Sequence, residues 1–281
     1  MRLGFDNGYI DAHVHLWTDD FAKYPLASGV KPSDLVVRRF TARDILAQAQ
    51  RNSVQQVVLV QMSYYGFDNS LMLDTIAHYP SRFRGIAVID VDQKEPAKMM
   101  RRLARSGVRG FRIMAVDPAA RPLDHAGLKT MFACGASENL AMCFLTGPEF
   151  LPGIGSLCAQ FPDTPVVIDH MARIGMNGAI RSRDVDALCR LAKYPRTMVK
   201  VSAFYALGRK RPPHDDLAPL IRSLSMAFGP SRLMWGSDSP LQLMHETYRD
   251  SIALVRERLP FLSAADKGEI LRSSAEKFFF R

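Results

Sequence analysis

The chain has 281 residues, of which 47% are hydrophobic and 23% charged, a balance that supports a large core and excludes a disordered chain. No run approaches ~18 consecutive apolar residues, so no helix is expected to cross a membrane. The net charge of +9 is scattered, with 27 Arg against 10 Lys and no stripe or tail, which excludes a nucleic-acid binder and suits a pocket for a small anionic substrate.

The N-terminus reaches MRLGFDNGYIDAHVHLW without the apolar core of a signal peptide, so a cytoplasmic protein is expected. The first strand is predicted at YIDAHV (9–14). A long strandless stretch, 16–40, follows, and a loop of that length inside a domain is often functional. Thr41 then caps a predicted helix, TARDILAQAQRN. Further strands are predicted at 54–62, 83–90, 108–114, 140–146, 165–170, 197–202 and 232–237, short β-branched or apolar runs bounded by turn or charged residues. Helical patterns fill most of the gaps: DNSLMLDTIAHY, EPAKMMRRLARSG, FLPGIGSLCAQF, RDVDALCRLAKY and HDDLAPLIRSLSMAF. Two more, HETYRDSIALVRERL and SAADKGEILRSSAEKFF, close the chain.

Eight βα units predict an α/β fold, a (β/α)8 TIM barrel forming a single domain over 1–281 with extra C-terminal helices. The alternative, a doubly wound sheet, loses its best support because no GxGxxG follows the first strand. Cys134, Cys143, Cys158 and Cys189 lie far apart without a CxxC, so neither a zinc knuckle nor a redox dithiol is indicated. Cys143, in the apolar run AMCFL, reads as a buried thiol.

The chemistry concentrates at strand ends. His13 and His15 are two apart on the first strand, so period-two geometry sends both to one face. At the C-terminal mouth of a barrel they can chelate one metal or grip one substrate. PVVIDH ends on His170, and LMWGSDSP places Asp238 after a buried strand, where a free carboxylate is poorly solvated. Asp11 and Asp169 each precede a candidate histidine. We place both on the opposite strand face, anchoring the barrel wall. His78, His125, His214 and His245 read as surface or packing residues. In VRGFRIM, Arg112 shares parity with Val108 and Gly110, and an arginine on a core strand needs a partner or a ligand.

The set DAHVHLW, VIDH, WGSDSP and ILRSSAEKFF resembles the amidohydrolase superfamily, in its "amidohydrolase 2" branch, over nearly the whole chain from about residue 9. QMSYYGFDN, GVRGFRIM and VIDHMARIG are most similar to the 2-pyrone-4,6-dicarboxylate lactonases and related lactone hydrolases. The resemblance implies a hydrolase that opens a small carboxylated lactone by activated-water attack. Asp238 would serve as base, and His13, His15 and His170 would polarise the carbonyl. It implies Ser63, Tyr65, Arg112, Arg173 and Arg209 as substrate-binding residues. It leaves two cofactor states open. One is a single divalent ion, zinc by donor type, on His13, His15, His170 and Asp238. The other is catalysis without metal, as in the pyrone-dicarboxylate lactonases. A second metal is not expected, because strands 4 and 5 end without Lys, His or Glu. The competing readings are a non-oxidative decarboxylase of the same branch and a catalytically silent barrel that binds a small anion.

Overall fold

The computed structural model describes residues 8–115 and 123–281. The reading of the N-terminus rests partly on residues 1–7, which lie outside the described residues. Eight parallel strands pair in sequence order. They are β1 (Tyr9–Val14), β2 (Val54–Val60), β3 (Phe83–Ala87), β4 (Val108–Ala115), β5 (Ala141–Thr146), β6 (Val166–Ile168), β7 (Thr197–Ser202) and β8 (Leu233–Gly236). The ring closes where Val14 bridges Ser239: His15 N donates to Ser239 O at 2.8 Å, and Asp238 N donates to His13 O at 2.9 Å. This is the expected (β/α)8 barrel.

Among the described residues, eight α-helices follow the strands: α1 (Ala42–Arg51), α2 (Ser70–His78), α3 (Pro96–Arg105), α4 (Ala126–Glu138), α5 (Leu151–Gln160), α6 (Ser182–Cys189), α7 (Ala218–Phe228) and α8 (Tyr248–Glu257). The sequence patterns name no helix where α4 lies. Its two glycines weaken the helical signal but are needed for packing. A Cβ at Gly127 would sit 1.9 Å from Val91 O, and one at Gly135 2.8 Å from Leu140 O.

Apolar side chains form two layers. One packs the outer strand faces against the helices, and the other fills the barrel with Ile10, Val58, Ile86, Cys143, Val167 and Met234. A last helix, α9 (Ala264–Gly268), runs on through wide π-type turns over Glu269–Ser273 and Glu276–Phe280. It delivers Ala275 and Phe279 into the interior layer, and Arg272 donates to Gly8 O at 3.2 Å. The C-terminal segment therefore plugs the end of the barrel where the strands begin, and leaves the opposite mouth for polar groups. Among the described residues, no helix is long and apolar enough to cross a membrane.

Candidate active site

The site begins with an irregularity in β1. Four residues of β1, Asp11 to Val14, span three of β2, Val57 to Leu59. This bulge changes which way the chain faces. Ile10 and Ala12 pack inside the barrel, and His13 and His15 then both enter the mouth. Asp11 faces out, as expected. Its Oδ1 accepts from Ser237 N at 2.8 Å and His13 N at 3.1 Å, and its Oδ2 accepts from Tyr248 OH at 2.7 Å. Asp11 thus ties β1 to β8 and α8. Burial pushes its carboxyl up to about 6 despite these hydrogen bonds.

At β6 the strand ends at Ile168, earlier than the predicted 165–170. The chain then takes four consecutive left-handed residues, His170, Met171, Ala172 and Arg173, with φ of 53°, 51°, 54° and 55°. Non-glycine residues there cost roughly 1–2 kcal/mol each, so the turn is held by its surroundings. Its effect is to bring neighbours in sequence to one side. Asp169 does not face away from the site, because strand parity stops applying where the strand stops. Its carboxylate lies 3.5 Å from His13 Nδ1 and 3.1 Å from Lys200 Nζ. His170 Nδ1 shares a hydrogen bond with Ser202 Oγ at 2.8 Å, which fixes the ring with Nε2 turned inward.

Asp238, itself left-handed at φ 66°, completes the ring after β8. Its Oδ1 lies 3.3 Å from His15 Nε2, 3.6 Å from His13 Nε2 and 3.9 Å from His170 Nε2. That oxygen is buried and has no hydrogen-bond partner among the described residues. Oδ2 accepts from Tyr205 OH at 2.7 Å, and His245 stacks on the Tyr205 ring at 5.0 Å. Burial alone would raise the Asp238 carboxyl, but the imidazoles, His170 foremost, hold it below the usual carboxylate range. Burial lowers His170 to about 4. Burial, then Lys200 and His170, lower His13 well below an ordinary histidine. At neutral pH His13 and His170 are therefore uncharged imidazoles beside one carboxylate, each with one nitrogen carrying hydrogen and one bare.

That donor set fits a metal ion. His13, His15 and Asp238 bring three ligand atoms together, and Nε2 of the two histidines are 3.3 Å apart. A tetrahedral zinc with bonds of 2.0–2.1 Å has donors about 3.3–3.4 Å apart. The unpartnered Oδ1 also calls for a cation or a proton. His170 stands at the edge of this group rather than within it.

A cleft of about 550 Å³ opens above the ring. Arg112, Arg173 and Lys210 give it positive charge, His245 lines it beside Tyr205, and Met114, Leu145, Leu207 and Leu241 give it apolar walls. Arg112 enters from β4 as its parity implies, and its Nε is buried without a partner among the described residues. Arg173 donates to the sulfur of Met176, a weak acceptor. A neighbouring groove of about 570 Å³ shares Arg173 and Met176 but contains none of the four ring residues.

Three candidates stand elsewhere. Tyr65 is buried, and its hydroxyl accepts from Thr18 N at 3.0 Å, tying the β2 end to the 16–40 stretch. Ser63 begins that same turn and does not line the cleft. Arg209 is exposed, its backbone N bound to Asp216, and the adjacent Lys210 lines the cleft instead. No residue of 16–40 lines it. His214 is buried against Glu246, a packing role, whereas His245 belongs to the cleft. The loop 204–214, expected from the sequence to help decide the substrate, does supply Tyr205 and Lys210, although neither was singled out, and sequence reasoning missed Lys200 and the cleft role of His245. Only Lys200 carried a signal, a charge inside the apolar strand TMVKVS, the same argument that singles out Arg112.

The family profile described as Amidohydrolase matches residues 10–281, and the chain belongs to this family. Among curated relatives it is 27% identical over 249 residues to an L-fucono-1,5-lactonase from Burkholderia ambifaria, covering 86% of this chain and 83% of that one. It is 27% identical over 275 residues to a 4-sulfomuconolactone hydrolase from Rhizobium radiobacter, covering 96% and 84%. Its fold is shared with a probable 2-pyrone-4,6-dicarboxylic acid hydrolase from Acinetobacter baumannii, solved with citric acid bound, at TM-score 0.83 and 22% identity over 98% of this chain and 100% of that one. It is shared too with an amidohydrolase from Burkholderia multivorans, solved with bound zinc, at TM-score 0.82 and 22% identity over 97% and 99%.

Proposed function

We propose that this chain is a hydrolase acting on a cyclic ester, and that its substrate is a small lactone bearing carboxylate groups. The observation that carries the reading is the juxtaposition of Asp238 Oδ1, turned into a ring of three imidazoles, with a cleft whose polar lining is cationic. Relatives named for fuconolactone, sulfomuconolactone and pyrone dicarboxylate support the lactone.

In this reading Arg112, Arg173 and Lys210 receive the substrate's carboxylates, and guanidinium is suited to bidentate contacts. The apolar walls hold the ring and exclude water from its faces. Asp238 Oδ1, its other oxygen held by Tyr205, takes a proton from the attacking water as the new C–O bond forms; the ring C–O bond then breaks and the departing ring oxygen takes that proton from Asp238, leaving a hydroxy acid. The imidazoles of His13 and His170 face the developing charge on the carbonyl oxygen. A divalent ion held by His13, His15 and Asp238, zinc by donor type, would supply Lewis-acid polarisation of that carbonyl. We place the protein in the cytoplasm, a reading supported by four free thiols.

The test is Asp238→Asn, assayed on a panel of carboxylated and neutral lactones with ring opening followed by proton release. A fall in kcat of at least about 10³-fold with folding intact is expected for loss of the base. Wild-type protein that opens no lactone, or releases carbon dioxide from a carboxylated aromatic acid, would overturn the reading.

A further inference from the structure

Behind the ring lies a charged pair that the proposed chemistry does not use. Lys200, Asp169 and His13 are all fully buried. Lys200 Nζ is 3.1 Å from Asp169 Oδ1 and 3.2 Å from His13 Nδ1. Asp169 Oδ1 is itself 3.5 Å from His13 Nδ1. One imidazole nitrogen therefore meets both an ammonium and a carboxylate.

We propose that this pair sets the tautomer of His13 and thereby how tightly the site holds a divalent metal ion, Lys200 working against the metal and Asp169 for it. Both are positioning residues, and the inference does not depend on the substrate.

The argument rests on partners whose roles are fixed by their chemistry. A backbone carbonyl only accepts, and Val60 O lies 2.8 Å from His15 Nδ1, so that nitrogen carries the hydrogen and His15 Nε2 is bare. An ammonium only donates, so its contact with His13 requires a bare Nδ1 and puts the hydrogen on Nε2. That N–H points toward two acceptors, His15 Nε2 at 3.3 Å and Asp238 Oδ1 at 3.6 Å. In this form His13 satisfies its neighbours but has no lone pair on Nε2 to give a metal.

The other tautomer places the hydrogen on Nδ1 and directs it to Asp169. His13 Nε2 is then bare, and three donors converge. This is the carboxylate–histidine arrangement that raises a ligand's basicity. It leaves the Lys200 ammonium facing an N–H and keeps a positive charge next to a ligand. The two forms hold the same number of protons, so the choice between them is made by Lys200 and Asp169.

The test is zinc affinity at one pH, measured on the full chain by competition with a chromogenic chelator. Asp169→Asn is expected to weaken binding about 10–100-fold, the usual effect of losing such a partner, and Lys200→Met to tighten it about 10-fold. A pair that served only packing would weaken binding in both variants, so weaker or unchanged affinity in Lys200→Met overturns the proposal. Because that variant leaves a buried carboxylate alone and can fail to fold, a second measurement uses unaltered metal-free protein labelled with ¹⁵N-histidine. Two-bond proton–nitrogen correlations, with His13 assigned by its loss in His13→Gln, are expected to show hydrogen on Nε2, moving to Nδ1 when zinc is added. Hydrogen on Nδ1 in the metal-free protein overturns the proposal.

Discussion

Tyr205 holds Asp238 by one oxygen: its hydroxyl donates to Oδ2 at 2.7 Å, which leaves Oδ1 as the oxygen turned toward His13, His15 and His170. The two residues sit on separate loops, after β7 and after β8. Their bond therefore fixes both the rotamer of the carboxylate and the position of the phenol at the cleft wall. Hydrogen bonds to a charged group contribute about 1.5–3 kcal/mol. Tyr205→Phe is expected to lower kcat about 10–100-fold on the lactone that the wild type opens best, with a smaller change in KM. Steady-state kinetics checks this, and a variant with unchanged kcat would show that Asp238 needs no such support.

His170 makes stability depend on pH. Its imidazole is lowered from 6.5 to about 4 by burial. The folded state then binds this proton less tightly than the unfolded state, so the stabilising effect is full above about 6.5 and is lost as pH falls toward 4. One group with that shift removes about 2 kcal/mol between pH 7.5 and 5. His13, lowered by burial and Lys200, acts in the same direction. Urea midpoints of the metal-free protein are expected to fall over this range. In His170→Gln the fall is expected to shrink by about the amount assigned to His170.

The cleft distinguishes two neighbouring basic residues. Both are exposed, but Lys210 lines the cleft and Arg209 does not. If the cationic lining selects carboxylated lactones, Arg112→Met and Lys210→Met should raise KM for such substrates about 10-fold or more, as loss of a charge-assisted contact predicts. KM for neutral lactones should change little. Arg209→Ala should leave both within about twofold, as expected of an exposed charge outside the contact. Equal effects of Arg209→Ala and Lys210→Met would remove the distinction.

Much of this was legible in the amino-acid order. The apolar runs mark all eight strands, and the four residues His13, His15, His170 and Asp238 do meet at the mouth. What parity could not convey is where a strand stops behaving as one. The bulge between Asp11 and Val14 and the left-handed turn from His170 to Arg173 are backbone events without a sequence signature, since neither uses glycine. They decide that Asp11 and His13, only two residues apart, point to opposite sides of the wall, and that Asp169 faces the ring. Tyr205 and Lys210 reach the cleft from an irregular loop, where no periodicity exists to be read. α4 was hidden for another reason: its glycines serve close contacts with Val91 and Leu140 at the expense of helix propensity.

The closure of the barrel has a kinetic consequence. Asp11 and Ser237, joined by a hydrogen bond, are 226 residues apart in the chain, and Asp238 and His13 are joined just beside them. Contacts of such separation carry a large loop-closure cost and form late. During synthesis the first histidines emerge long before the carboxylate they face. A chain with most of its strands already paired still has two unjoined sheet edges at β1 and β8 and no assembled centre. Chemical competence is therefore acquired in a single late event, the same event that removes those edges as sites for association with other chains.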